Sequence, residues 1–188
     1  MAFHLLSSDM TEEFERKQER RDPIEVRVGA TLRERDVTVA VAESCTGGLI
    51  GSLLTDVAGS SDYFDRSVVT YSYDSKRELL AVSRETLDAH GAVSEPVARE
   101  MARAVCDTAG TTWGVATTGV AGPDGGTDET PVGTVYVGIS NAAPWGTKAS
   151  KTTAERYVFE KPETRTEFKD RFARQALSDL LARLQNEQ

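Results

Sequence analysis

Apolar residues along the chain switch repeatedly between helical and strand spacing. Ile24, Val28 and Leu32 recur at helical intervals behind Asp22 and Pro23, which suit an N-cap and a first helical position; a helix is predicted over about 23–35. Thr38 to Ala42 is a short β-branched and apolar run that predicts a buried strand. It breaks into Glu43-Ser44-Cys45-Thr46-Gly47-Gly48, after which Leu49, Ile50, Leu53 and Leu54 mark one face of a helix. Gly47, Gly48 and Gly51 allow another backbone to approach closely there. Ser67 to Tyr73 is a second strand candidate, and Ser75 through Glu78 has capping-box spacing ahead of Leu79 and Leu80. Ser94 and Pro96 open a longer helix with Val97, Met101, Ala104 and Val105 inward, and Gly110 is its expected stop. Thr112 to Thr118 predicts a strand running into a glycine-rich loop over residues 119–126. Val132 to Ser140 and Thr152 to Phe159 read as a hairpin, and a last helix over about 163–186 turns Phe168, Phe172, Leu177, Leu180 and Leu184 inward.

Strands alternate with helices until two strands come in succession. This order predicts an α/β fold, a three-layer α/β/α sandwich whose mixed sheet is mainly parallel with one antiparallel member. No linker or internal repeat divides the compact region. Residues 1–22 read as a charged N-terminal arm without evident chemistry, and 23–188 as one domain.

Composition narrows the function classes. Of 188 residues, 39% are hydrophobic and 28% charged, values that belong to a globular chain. The net charge of −8 argues against general nucleic-acid binding, although one local cationic pocket for a single phosphate remains compatible with it. Cys45 and Cys106 make no disulfide framework, and with only His4 and His90 there is no metal-ligand cluster, so no metal and no cofactor is expected. No stretch has the length of a membrane span and the start lacks the apolar core of a secretion signal, so a cytoplasmic location is expected, with no membrane partner.

Three polar or glycine-rich segments fall where predicted strands end, the usual place for ligands in open α/β sheets. They are the Ser44 turn, Tyr71 through Lys76, and Thr117 through Gly126. A serine on a strand-to-helix turn presents its hydroxyl outward, and the amides after it point at a developing oxyanion. The hydroxyl needs a base. Lys76 can serve if burial lowers its pKa, and Tyr71 could relay a proton or hold substrate. Plainer roles stand beside these: Ser44 as a helix cap, Lys76 as a solvated surface cation, Tyr71 as core, Cys45 as an inert buried thiol and His90 as a structural or subunit-contact residue. The glycine-rich loop matches neither a P-loop nor a dinucleotide fingerprint.

Six blocks in order carry a family resemblance: Ala42 to Gly48, Asp56 to Ser61, Val69 to Ser72, His90 to Ser94, Thr118 to Pro123 and Pro131 to Val135. Over roughly residues 24–185 the chain resembles the C-terminal domain of the CinA proteins, which also exists alone as nicotinamide-nucleotide amidases of the PncC type. The resemblance implies hydrolysis of the carboxamide of nicotinamide mononucleotide to nicotinate mononucleotide and ammonia, in pyridine-nucleotide recycling. It implies Ser44 as nucleophile, Lys76 as base and Tyr71 as assistant, without a metal. Cys45, Thr46 and Gly47 would supply the oxyanion hole, Thr118 and Gly119 would line the pocket, and Arg165 (or Arg171) would meet the phosphate. Relatives commonly read Tyr-Ser-Asn-Glu-Ala-Lys where this chain has Tyr71-Ser72-Tyr73-Asp74-Ser75-Lys76, so either substrate preference has moved or residue 73 is peripheral. The larger N-terminal domain of CinA has no counterpart among these residues. A homo-oligomer is expected, with a dimer as the default. A silent nucleotide-sensing module of the same fold and an amidase for another small amide are the alternatives.

Overall fold

The computed structural model describes residues 22–160 and 164–186; most of the predicted arm, with His4, lies outside them. The elements run α1 (Ile24–Glu34), β1 (Val39–Glu43), α2 (Leu49–Thr55), β2 (Phe64–Val69), α3 (Tyr73–Leu80), α4 (Arg84–His90), α5 (Glu95–Ala109), β3 (Trp113–Gly119), β4 (Thr134–Asn141), β5 (Lys151–Val158) and α6 (Arg165–Asn186). The sheet order is β2-β1-β3-β4-β5. β1 pairs in parallel with β2 and β3, while β4 is antiparallel to both β3 and β5. One strand thus runs against the other four, so the expected single antiparallel member is β4, although half of the ladders are antiparallel.

Alternation along β1 sorts the core. Val39 and Val41 join the cluster under α1, α2 and α6 with Ile50, Leu54, Phe172 and Leu180. Ala40 and Ala42 face the other way, into a cluster with Val97, Met101 and Val105 of α5 and Leu80 of α3. The first face is built from large side chains, the second from small ones. Small residues let α5 come close to the sheet: a Cβ on Gly114 of β3 would collide with the Ala102 carbonyl and stand 2.6 Å from Cys106 Cβ.

Several predicted boundaries move. β2 ends at Val69, so Tyr71 sits in a turn beyond the strand and not within it. The helix after it starts at Tyr73, because Ser72 is the cap: its hydroxyl accepts from the Ser75 amide, and the Ser75 side chain accepts from the Ser72 amide. The capping box expected at Ser75–Glu78 therefore lies three residues earlier. Pro23, not Asp22, occupies the N-cap of α1, and no side chain caps that helix. Ser94 precedes α5 as expected, but its hydroxyl donates to Gly91 O rather than closing the helix end. Gly110 ends α5 in the left-handed conformation, φ +67°.

The tight α5–β3 seam leads to a direct expectation. Gly114→Ala should lower the unfolding free energy by about 1–3 kcal/mol, the usual penalty of overpacking. A urea titration followed by circular dichroism reads this as an earlier midpoint, and an unchanged midpoint would mean that α5 can shift away freely.

Candidate functional site

The parity that sorts the core also builds the site. Glu43 continues the Val39–Val41 side of β1 toward α2, and Ser44 continues the Ala40–Ala42 side toward α3. Each then meets the helix it faces.

Glu43 is fully buried, and its carboxylate accepts four hydrogen bonds. They come from the amides of Gly48 (2.8 Å), Ile50 (3.1 Å) and Gly51 (2.9 Å) and from the Ser67 hydroxyl (2.8 Å). A charged group is thus sunk at the start of α2, where unpaired amides and the helix dipole favour it. Ser44 does not cap that helix; Glu43 does. Sequence patterning missed this role because the acidic residue comes before the turn and outside the usual capping positions.

Ser44 lies on the other side, its amide donating to Thr117 O at 3.0 Å. Its Oγ accepts from Lys76 Nζ at 2.9 Å. Lys76 has no exposed surface and also donates to Thr70 O at 2.7 Å and, at 3.4 Å, to Tyr71 O. No salt bridge among the described residues reaches it. Burial without a counter-ion lowers its pKa from 10.5 to about 8. A neutral amine has two N–H groups and one lone pair. With the N–H groups on the two carbonyls, the lone pair is left for the serine proton. Cys45, the neighbouring thiol, is pushed by burial up to about 12 and stays protonated at neutral pH, so it does not compete as a nucleophile.

Ser44, Cys45, Tyr71, Lys76, Thr118, Gly119 and Arg165 all border one cavity of about 260 Å³ at the carboxyl ends of β1 and β3, as do Ala92 and Val93. Arg165, at the start of α6, donates to Gly122 O at 2.6 Å and to the Tyr71 hydroxyl at 2.8 Å. The Tyr71 side chain is 63% exposed, and its hydroxyl meets Arg165, not Ser44 or Lys76. Arg171 is exposed and does not border the cavity. Thr46 is buried and shares a hydrogen bond with Thr117 Oγ1 at 2.8 Å, which braces the turn from below. Gly47 lies at the surface beside Lys169, whose Nζ stands 3.4 Å from the point where a Cβ would emerge. His90 is exposed at the end of α4 and does not border the cavity.

Ser44 N is engaged by Thr117 and the amides of Gly48, Ile50 and Gly51 by Glu43; of the three residues between, Cys45 borders the cavity, and Thr46 and Gly47 do not. A larger hollow of about 640 Å³ lies at the opposite end of the sheet between α5 and the β4–β5 loop. Its buried thiol, Cys106, is also raised by burial, and it donates to Thr111 O at 3.1 Å. Chemistry favours the smaller cavity. No group of three or more metal-ligating side chains occurs among the described residues, and no described helix is long and apolar enough to cross a membrane.

The sequence profile of the CinA C-terminal domain matches residues 21–184. A "CinA-like protein" of Chlorobaculum tepidum is 55% identical over 153 residues, covering 81% of this chain and 35% of that protein. A "CinA-like protein" of Salinibacter ruber is 49% identical over 156 residues, covering 83% and 36%. The chain spans about a third of the length of these relatives. Among solved structures, the competence/damage inducible protein CihA from Agrobacterium tumefaciens superposes with a TM-score of 0.79 at 34% identity, covering 98% of this chain and all (100%) of that one. The competence damage-inducible protein A (ComA) from Klebsiella pneumoniae gives 0.78 at 33% identity, covering 89% and 100%.

Two consequences are measurable. Glu43→Ala leaves three amides of α2 without their acceptor and should cost about 3 kcal/mol, while Glu43→Gln, which keeps one carboxamide oxygen, should cost less; equal losses in urea melts would contradict the capping role. Lys76 holds its proton more weakly folded than unfolded, so its contribution to stability rises with pH from about 8 to 10.5. Below that window the buried charge is a constant penalty; above it the penalty is gone. The stability of the wild type relative to Lys76→Met should therefore climb between pH 8 and 10, and a flat difference would contradict the lowered pKa.

Proposed function

The chain belongs to the CinA C-terminal domain family, and from that premise we propose that it is an amidohydrolase that converts nicotinamide mononucleotide to nicotinate mononucleotide and ammonia. The observation that carries this reading is the buried contact of Lys76 Nζ with Ser44 Oγ at 2.9 Å, at the wall of a cavity of small-molecule size. A buried lysine with a pKa near 8 facing a serine is a base matched to a hydroxyl nucleophile at physiological pH.

In this mechanism Ser44 Oγ attacks the carboxamide carbon while its proton passes to the Lys76 amine. The carbonyl π electrons move to oxygen, and the amide of Cys45, the residue after Ser44 that borders the cavity, meets the resulting negative charge. The tetrahedral intermediate collapses, the C–N bond breaks, and Lys76 returns the proton to the leaving nitrogen as ammonia. A water then attacks the nicotinoyl ester, giving its proton to Lys76, and the acid is released as Ser44 regains a proton. No oxidant, reductant or metal enters these steps. Tyr71 holds the substrate side of the cavity together with Arg165, whose remaining donors meet the phosphate; the Tyr71 hydroxyl is too committed to Arg165 to favour a proton relay. Thr118 and Gly119 border the same space. The setting we propose is a cytoplasmic homo-oligomer acting in pyridine-nucleotide recycling.

Purified protein given nicotinamide mononucleotide should release ammonia stoichiometrically with the acid product. Ser44→Ala should abolish release, and Lys76→Ala should reduce kcat by about 10²–10⁴. The wild-type rate should rise as pH climbs through about 8, since only the neutral amine accepts the serine proton. Calorimetric binding of the mononucleotide without ammonia release would favour a silent sensing module instead, and full activity of Ser44→Ala would eliminate the acyl-enzyme route.

A further inference from the structure

Tyr73 lies between Tyr71 and Lys76 in the chain, yet its side chain does not border the cavity. It acts one step away. Tyr73 opens α3, the helix that carries Lys76 three residues later, and the Ser72–Ser75 capping box fixes that helix start. The Tyr73 ring reaches across to the loop after α4, where its hydroxyl accepts from the Ala92 amide at 3.1 Å. The same peptide segment is held from the opposite side, since Thr118 Oγ1 donates to Ala92 O at 2.7 Å. Gly91, at φ +70°, makes the turn that brings Ala92 into place, and the Ser94 hydroxyl closes it on Gly91 O at 2.9 Å. Ala92 and Val93 then line the cavity together with Lys76, Arg165 and the start of the glycine-rich loop.

We infer that Tyr73 is a positioning residue that fixes the Ala92–Val93 wall relative to Lys76 and thereby sets the cavity's selectivity for a flat, ring-bearing amide over smaller amides; this rests on the amidohydrolase reading above. Three properties make the hydroxyl suited to this. It is borne by the first turn of the helix that also bears the base, so wall and base move together. It meets the Ala92 N–H, the one polar group of that residue that Thr118 does not hold. And the ring is 49% exposed, so removing the hydroxyl opens no void in the core. A group that packs apolar atoms would be redundant here; a group that accepts one amide proton is not. With the wall fixed, a planar ring is sandwiched at a defined height above Ser44. With it free, the ring loses that contact while a small amide, which never reaches the wall, loses nothing.

Tyr73→Phe deletes only the oxygen and is the test. Hydrogen exchange should show the Ala92 amide exchanging about fivefold or more faster, with the α3 amides unchanged, the factor one lost net hydrogen bond carries. KM for nicotinamide mononucleotide should rise about five- to tenfold with kcat within about twofold, and kcat/KM for a small amide such as acetamide should stay put. Unchanged exchange at Ala92, or a ratio of kcat/KM between the two substrates equal to that of the wild type, overturns the inference. If the wild type releases no ammonia from the mononucleotide, the amidohydrolase reading fails. The wall is then judged by exchange together with calorimetric binding of nicotinate mononucleotide, where a five- to tenfold (about 1 kcal/mol) weaker affinity in Tyr73→Phe supports it and equal affinity, or no binding to the wild type, overturns it.

Discussion

A primary amine enclosed by protein without a carboxylate partner is the constraint on which the local architecture turns. Lys76 is completely buried, and what surrounds its nitrogen is two peptide carbonyls and a serine hydroxyl. Carbonyl dipoles stabilise an ammonium less than an anion would, so the charged form is disfavoured and the pKa falls. Those carbonyls belong to Thr70 and Tyr71, the two residues by which the chain leaves β2. The strand must stop where it does for them to be free of the ladder. The Ser72 cap that ends it also begins the helix bearing the lysine. Strand end, cap and base are one local solution to placing an amine in a dry position.

The opposite problem is solved on the other side of the same strand. Glu43 is as buried as Lys76, yet it is given four donors. The two buried ionisable groups are not paired with each other: Glu43 lies on one face of β1, and Lys76 of α3 meets the next residue, Ser44, on the other. The pleat turns Glu43 toward α2 and Ser44 toward α3. That separation keeps the carboxylate from restoring the lysine's proton affinity, as a direct ion pair would. It also stiffens the Ser44 turn, because Gly51 packs so tightly that a Cβ there would lie 2.7 Å from Ser67 Cβ.

Much of this was legible in the amino-acid order, and the rest was not for identifiable reasons. The strand–turn–helix at Ser44, the α5 stop at Gly110 and the terminal helix followed from periodicity and punctuation, which are local. The convergence of Ser44, Tyr71, Lys76, Thr118 and Arg165 on one cavity depends on β2-β1-β3 adjacency, which spacing alone leaves open and the family resemblance implied. The end of β2 was misplaced because Tyr71 and Tyr73 have strand propensity, while the competing signal, two serines three apart, is weak in sequence and decisive in structure. Glu43 escaped notice because no motif distinguishes a buried acceptor of backbone amides from a solvated carboxylate. The Tyr73–Ala92 contact spans 19 residues between a helix start and a loop, a relation with no local signature.

The electrostatics of the cavity mouth follow from these placements. A helix N-terminus is ordinarily a good seat for an anion, but at α2 Glu43 fills it. An anionic group on a ligand must then be met by side chains. Arg165 and Lys169, one turn apart on α6, bring cations to the two ends of the Ser44 turn, Arg165 at the Tyr71 and Gly122 side and Lys169 beside Gly47. In a chain with a formal net charge of −8, such a pair stands out against an acidic background. Of the two only Arg165 borders the cavity, and the lowered pKa of Lys76 is the work of burial. A cationic side of the cavity and a lowered lysine pKa therefore have separate origins. Deep burial without a carboxylate partner is what favours the neutral amine, and it prevails over the Thr70 and Tyr71 carbonyls, whose acceptance of its N–H groups works the other way.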